Sequence, residues 1–159
     1  MATLRRWSRI PARIRRAVAG RSRRELAARG GSQDWSAGEY VHHLVEANVV
    51  AASIIVAALG KPGCTYDWSW LFPDRAWMAR LGYRRLRVGP ALDLLAALSA
   101  HVSALVAGAR GGPASPVRLR GSARRPTRTT VEKILREECE HADHHLRDIR
   151  EILGSRSGA

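Results

Sequence analysis

Apolar residues recur three and four positions apart along four long stretches of the chain, the spacing that places them on one face of an α-helix. The predicted helices span roughly residues 4–19, 36–59, 90–107 and 130–153. Two longer connections join them: an aromatic-rich crossover over about residues 60–90 and a basic loop over residues 109–128. This pattern predicts an all-α protein, a four-helix bundle with a long crossover between helices 2 and 3.

The second predicted helix carries the clearest start signal. Ser36 followed by Glu39 is a capping box, in which each side chain satisfies a backbone N–H of the first turn. Trp35 and Tyr40 occupy the two positions of a hydrophobic staple at the same end. Beyond Glu46 the helix is apolar around almost its whole circumference, so we expect it to be buried in the bundle centre or in a subunit interface.

Two further signals refine the connections. The crossover is long enough to contain a short helix of its own, which we predict over residues 73–81. Thr129 followed by Glu132 forms a second capping box, which predicts the start of the fourth helix.

Composition limits the fold and the location. At 159 residues the chain is long enough for one core and too short to predict two, so we assign residues 1–159 to one domain. The longest uncharged apolar run in the first half, residues 47–59, is shorter than the roughly 20 residues that cross a bilayer. The two cysteines, Cys64 and Cys139, form no disulfide-rich pattern. We therefore expect a soluble, cytoplasmic protein without membrane contacts.

The charge of the chain suggests a different class of partner. The net charge is +13, and Arg outnumbers Lys 25 to 2, with the excess concentrated in residues 1–30, 71–90 and 117–130. Such a balance is typical of proteins that bind nucleic acid or an acidic partner. The sequence contains no recognised nucleic-acid-binding motif, and its aromatic residues do not interleave with the basic runs as in a base-stacking surface. Nucleic-acid binding is therefore an alternative rather than the leading function.

Histidines provide the candidate chemistry. His141 and His145 are four residues apart on the fourth predicted helix, so they project from one face with a spacing that allows two imidazoles to bind one metal ion. His43 lies on the apolar second helix, where burial without a partner would be costly. Three imidazoles would leave coordination positions open, as in catalytic zinc sites. His42 points elsewhere and is predicted at the surface or in an interface.

Two segments of the chain resemble a known family. Residues 35–44, WSAGEYVHHL, and residues 140–149, EHADHHLRDI, are similar in order and spacing to the two signature motifs of the DinB superfamily. The resemblance implies a four-helix bundle with a long crossover. It also implies a divalent metal, commonly zinc or nickel, bound by His43, His141 and His145. Many members have Glu directly after the first His of the terminal pair, where this chain has Ala142.

The resemblance also implies a range of reactions. Characterised members include thiol-dependent transferases and isomerases that use mycothiol, bacillithiol or glutathione, and others are assigned as metal-dependent hydrolases. We expect an enzyme that transfers a low-molecular-weight thiol to an electrophilic small-molecule substrate or hydrolyses a small substrate. Candidates to pair with carboxylates of the thiol are Arg84, Arg85 and Arg87. Candidates to orient an imidazole, or to act as proton acceptor or donor, are Glu46, Glu138 and His144.

Other interpretations fit the same sequence. A solvated polar face is the simplest alternative for the histidine pair, and a metal-binding bundle without catalysis is another. A di-iron carboxylate bundle does not fit, because that class needs carboxylates from all four helices and the first helix has none. We also expect a homodimer, because the apolar second helix and the Trp-rich crossover offer more apolar surface than one small bundle needs.

Overall fold

The apolar stripes of the predicted helices pack together in the computed structural model, which describes residues 2–29, 35–71, 73–121 and 125–154. The helices are α1 (Ala2–Ser8), α2 (Ile10–Val18), α3 (Arg23–Ala27), α4 (Ala37–Gly60), α5 (Arg75–Leu81), α6 (Val88–Gly108) and α7 (Val131–Gly154). In the bundle α4 contacts α6 and α7, and α1 and α2 contact the same two helices. The predicted four-helix bundle, with its long connection between α4 and α6, is confirmed.

The first predicted helix is divided in two. The break lies at Arg9, whose N–H bonds the carbonyl of Arg6, and α2 then begins with Pro11 in its first turn. Proline has no N–H, and its ring conflicts with the carbonyl four residues earlier, here that of Trp7. The continuous helix expected over residues 4–19 is therefore a kinked pair.

The start of α4 follows the predicted cap. The Ser36 hydroxyl accepts from the Glu39 N–H at 3.3 Å, and the Glu39 carboxylate accepts from the Ser36 N–H at 2.7 Å. The rings of Trp35 and Tyr40 are in contact, with centroids 5.2 Å apart, as the staple predicts. Both features orient the first turns of α4, which carry His42 and His43.

The start of α7 differs from its predicted cap. The Thr130 hydroxyl, not that of Thr129, accepts from a backbone N–H of the first turn, that of Lys133. Thr129 belongs to a strand, and Glu132 accepts instead from the hydroxyl of Thr3 on α1. The capping box predicted from Thr129 and Glu132 is wrong because the strand continues to Thr130, the residue directly before the helix.

A small sheet replaces part of the predicted loops. Its strands are β1 (Thr65–Asp67), β2 (Pro116–Arg120) and β3 (Thr127–Thr130), in the order β1-β2-β3. The crossover strand β1 pairs in parallel with β2, and β2 pairs antiparallel with β3. The sheet ties the crossover to the α6–α7 connection. It was not predicted, because these short strands contain more Arg and Thr than apolar residues. The short crossover helix, in contrast, is confirmed as α5, with Asp74 as its N-cap.

Two helices, α4 and α6, are long and apolar enough to cross a membrane by length and composition. Both contribute to the bundle core. Apolar side chains of these helices that are exposed include Val49, Val56 and Leu94. The homodimer and the cytoplasmic location stay predictions.

Candidate metal centre

The predicted histidine triad converges between α4 and α7. The Nε2 atoms of His43 and His141 lie 3.1 Å apart, and one ring nitrogen from each of His43, His141 and His145 lies within 4.8 Å of the others. Imidazole nitrogens that share a tetrahedral metal at about 2.0–2.1 Å lie about 3.3 Å apart. The His43–His141 separation is therefore close to that of two ligands of one ion, and His145 lies near enough to contribute a third nitrogen.

Carboxylates lie behind two of the three rings. His145 Nδ1 is 2.9 Å from Asp148 Oδ2, and His141 Nδ1 is 3.6 Å from Glu138 Oε2. A carboxylate hydrogen-bonded to Nδ1, as Asp148 is to His145, selects the tautomer in which Nε2 carries the free lone pair, and it increases the basicity of that nitrogen. His43 has no such support among the described residues, because its Nδ1 is buried without a hydrogen-bond partner.

Burial favours the neutral form of His43 and His145. Burial, with a smaller effect from the neighbouring His141 and His145, lowers the pKa of His43 to about 3. Burial also lowers the pKa of His145, although the hydrogen bond to Asp148 opposes that effect. Metal ligation requires neutral imidazole, and a set of three imidazole nitrogens fits a divalent metal ion.

Aromatic rings from the start of α4 pack against the triad. The ring centroid of Trp35 lies 5.0 Å from that of His43, and the ring centroid of Tyr40 lies 4.9 Å from that of His145. The staple at the N-terminus of α4 therefore also restricts two of the histidine rings. This contact explains physically why the Trp lies at the helix start, eight residues before His43.

A cavity of about 420 Å³ opens beside His43 and His141. We call it the metal-side cavity. Its walls are mainly apolar and come from α4, α7, the crossover and β2, with the lining residues Ala47, Val50, Ala51, Ile54, Trp68, Leu71, Pro73, Leu119 and Ile134. Glu137 and Glu138 are the charged residues among the described lining. The cavity therefore suits a small, largely apolar molecule that is neutral or cationic.

The structure places Glu46 away from the triad. Its Oε1 accepts from Trp77 Nε1 at 2.9 Å and from the Tyr83 hydroxyl at 2.6 Å. The crossover thus holds this carboxylate on a different side of α4, although Glu46 is only three residues from His43. The predicted role of Glu46 beside a ligand imidazole has no support in these contacts.

The arginines Arg84, Arg85 and Arg87 also lie elsewhere. Arg84 donates to the carbonyl of Ala27 at 2.9 Å, and the carbonyl of Arg85 accepts from Arg23. Arg84 and Arg87 line a separate depression beside α3. The turn after α5 directs these residues toward α3, so none of the three lines the metal-side cavity, and their contact with a substrate stays a prediction.

The remaining candidates on α7, Glu138 and His144, differ in whether they line the metal-side cavity. Glu138 lines the metal-side cavity, as its predicted role requires. His144 is exposed, and its Nε2 lies 3.8 Å from Asp148 Oδ2, so it contacts the triad only through that carboxylate and the His145 ring. Ala142 is fully buried in the core, which excludes a charged side chain there without rearrangement.

Sequence reasoning missed several residues of this region. His42 is 7% exposed and stacks on Tyr83, so of its two predicted positions the surface is wrong, and an interface stays a prediction. Asp148 had a detectable signal, because it lies three residues after His145, on the same helical face. No sequence signal indicated that Trp68 and Leu71 line the metal-side cavity, because their positions depend on the path of the crossover.

Comparisons with known proteins agree with this geometry. The sequence matches the DinB superfamily over residues 6–149. YfiT from Bacillus subtilis has the same fold, with a TM-score of 0.82, 18% sequence identity, and coverage of 99% of this chain and 86% of that chain. YfiT is described as a probable metal-dependent hydrolase with an unusual four-helix bundle topology. No curated protein sequence matches the chain significantly. Because this match covers most of the chain and includes all three histidines of the triad, the chain belongs to the DinB superfamily.

Proposed function

We propose that this protein is a metal-dependent hydrolase of a small, largely apolar substrate. The observation that carries the proposal is the convergence of the ring nitrogens of His43, His141 and His145 beside the metal-side cavity. An ion bound by three imidazoles supplies Lewis acidity and lowers the pKa of a water or thiol ligand.

The side chains around the triad have distinct tasks in this proposal. Asp148 holds the ring of His145 in position. Glu138 Oε2 has no hydrogen-bond partner among the described residues, so this carboxylate is available to accept a proton from the attacking group. The apolar walls exclude water and orient an apolar substrate next to His43 and His141.

Hydrolysis has more support than thiol transfer. The structural relative YfiT is described as a probable metal-dependent hydrolase, although the low identity makes that likeness one of fold. Transfer of a thiol that carries carboxylates would need cationic partners, and the described lining of the metal-side cavity offers Glu137 and Glu138 instead. Thiol transfer in this cavity would therefore require a thiol that carries no carboxylates.

Metal analysis tests the first step of the proposal. Purified wild-type protein should contain about one divalent ion per chain, and His43→Ala, His141→Ala and His145→Ala should each lose it. His101→Ala is the matched control, because His101 is exposed on α6 and should leave the metal content unchanged. A wild-type protein that remains metal-free after incubation with zinc and with nickel would contradict the metal site.

An activity assay tests the second step. Metal-loaded protein should hydrolyse small uncharged esters or amides faster than their carboxylate-bearing analogues, because the metal-side cavity carries negative charge. Glu138→Gln should reduce kcat by about 100-fold or more while the protein retains metal. A protein that binds metal but converts none of these substrates, nor a thiol and an electrophile, would support the interpretation as a metal-binding bundle without catalysis.

A further inference from the structure

A second cavity, of about 500 Å³, lies on another side of α4, between that helix, the crossover and the start of α6. We call it the aromatic cavity, and define it by His42, Glu46, Trp70, Trp77, Tyr83 and Leu94. Val50 and Leu71 line both cavities and separate them. The histidine triad does not use any residue that defines the aromatic cavity.

A carboxylate with an unused oxygen lies in this cavity. Both hydrogen bonds to Glu46, from Trp77 Nε1 and the Tyr83 hydroxyl, reach the same oxygen, Oε1. Burial and the hydrogen bond to Glu46 raise the pKa of Tyr83, so its hydroxyl remains a donor. Glu46 Oε2 is buried and has no hydrogen-bond partner within the described ranges. A buried acceptor left in this state is costly unless a ligand supplies a donor.

His42 presents a second unused acceptor. The side chain is 7% exposed, and its Nε2 is buried without a hydrogen-bond partner in the described part of the chain. The other nitrogen, Nδ1, therefore makes the hydrogen bond to the Leu86 backbone. Because the Leu86 N–H already bonds the Tyr83 carbonyl, Nδ1 donates to the Leu86 carbonyl, and Nε2 carries a lone pair. His42 and Glu46 are four residues apart, on one face of α4.

Aromatic rings complete the cavity. Trp70 is 58% exposed, and its ring centroid lies 6.3 Å from that of Trp77. Tyr83 stacks on His42 with centroids 4.7 Å apart. An exposed indole beside a carboxylate is a favourable environment for an organic cation, because the negative face of the ring and the carboxylate attract the same charge. Apolar side chains, among them Leu94, form the outer wall.

We propose that the aromatic cavity binds an organic ammonium ion with an apolar body. Its ammonium group lies beside the Glu46 and His42 side chains, its charge faces Trp70 and Trp77, and its apolar body packs on α4 and α6. The two unused acceptors require a donor, the carboxylate selects positive charge, and the apolar wall excludes a hydrated inorganic ion. This site is independent of the metal and of the hydrolysis proposed above.

An NMR titration of the full chain tests the site. The probe is 2-phenylethylammonium chloride, and 3-phenylpropionate is a probe of similar shape and opposite charge. The Trp77 indole N–H bonds Glu46, so its resonance should shift with saturation on addition of the ammonium, in metal-free and metal-loaded protein alike. The propionate should cause no saturable shift at that resonance.

Variants assign the binding to these residues. Glu46→Gln keeps the shape but removes the charge, and should weaken ammonium binding about tenfold or more. Trp70→Ala changes an exposed side chain, so the fold should persist, and binding should weaken about two- to fivefold. Glu137→Gln is the matched control, because that carboxylate lines only the metal-side cavity, and it should bind the ammonium like the wild type.

Several outcomes would overturn the proposal. They are the absence of a saturable shift of the Trp77 indole, equal binding of the propionate, and unchanged affinity in Glu46→Gln. If a second copy of the chain covers the cavity instead, the Trp77 resonance will follow protein concentration and the ammonium will not bind, which also contradicts the proposal.

Discussion

Asp148 provides the sharpest test of how the triad is held. Its Oδ2 lies 2.9 Å from His145 Nδ1, and both side chains are only 14% exposed. Asp148→Asn keeps the size of the side chain but removes its charge. A hydrogen bond to a charged group contributes about 1.5–3 kcal/mol when it is shielded from water. Loss of a carboxylate behind a ligand imidazole typically weakens metal binding by about 10- to 100-fold, or about 1.4–2.7 kcal/mol, which agrees with that range.

The assay is a zinc titration in competition with a chromophoric chelator of known affinity. Asp143→Asn is the matched control, because it makes the same change on the same helix, at a carboxylate that pairs with Arg6 and Arg13 instead of a histidine. This control should retain zinc affinity within about twofold and lose only about 1 kcal/mol of stability. The reasoning fails if Asp148→Asn binds zinc as tightly as the wild type, or if both variants weaken binding equally.

Two further predictions concern stability of the metal-free protein. The folded chain keeps His43 neutral down to about pH 3, whereas the unfolded chain takes up a proton near pH 6.5, so stability is highest above about pH 6.5 and falls below it. Protonation of His43 changes the free energy of unfolding by up to about 1.4 kcal/mol per pH unit. Urea denaturation at about pH 7.5 and about pH 5 should therefore show a smaller change of that free energy in His43→Gln than in the wild type. An equal change in the two proteins would refute this. Ser36→Ala should lower the free energy of unfolding by about 1 kcal/mol, because the cap of α4 is lost. Ser53→Ala should lower the free energy of unfolding by less, because the Ser53 hydroxyl bonds the Val49 carbonyl of the same helix and does not cap it. A larger loss in Ser53→Ala than in Ser36→Ala would contradict the capping argument.

Local signals explain the predictions that succeeded. The cap at Ser36 and Glu39 depends on residues within one turn, so the start of α4 could be predicted without any knowledge of packing. The spacing of His141 and His145 places them on one face of any helix that contains them. The break at Arg9 also had a local cause, the ring of Pro11, which the prediction of one continuous helix did not use.

Predictions that failed depended on distant segments. The pairing of β1 with β2 joins residues about fifty positions apart, and neither strand has an apolar alternation strong enough to identify it alone. The turn after α5 directs Arg84 to the Ala27 carbonyl, a contact that its place in the crossover does not indicate. Loop direction of this kind depends on tertiary packing.

By itself the sequence determined the helices, the burial of α4 and the identity of the three histidines, because helical periodicity and caps act within single segments. Only the tertiary structure decided which neighbours those histidines have. The rotation of α4 separates His43 from His42 and Glu46, so that the first joins the triad and the other two line the aromatic cavity. That division depends on how the crossover packs against α4, because Trp77 and Tyr83 hold the Glu46 carboxylate away from the triad.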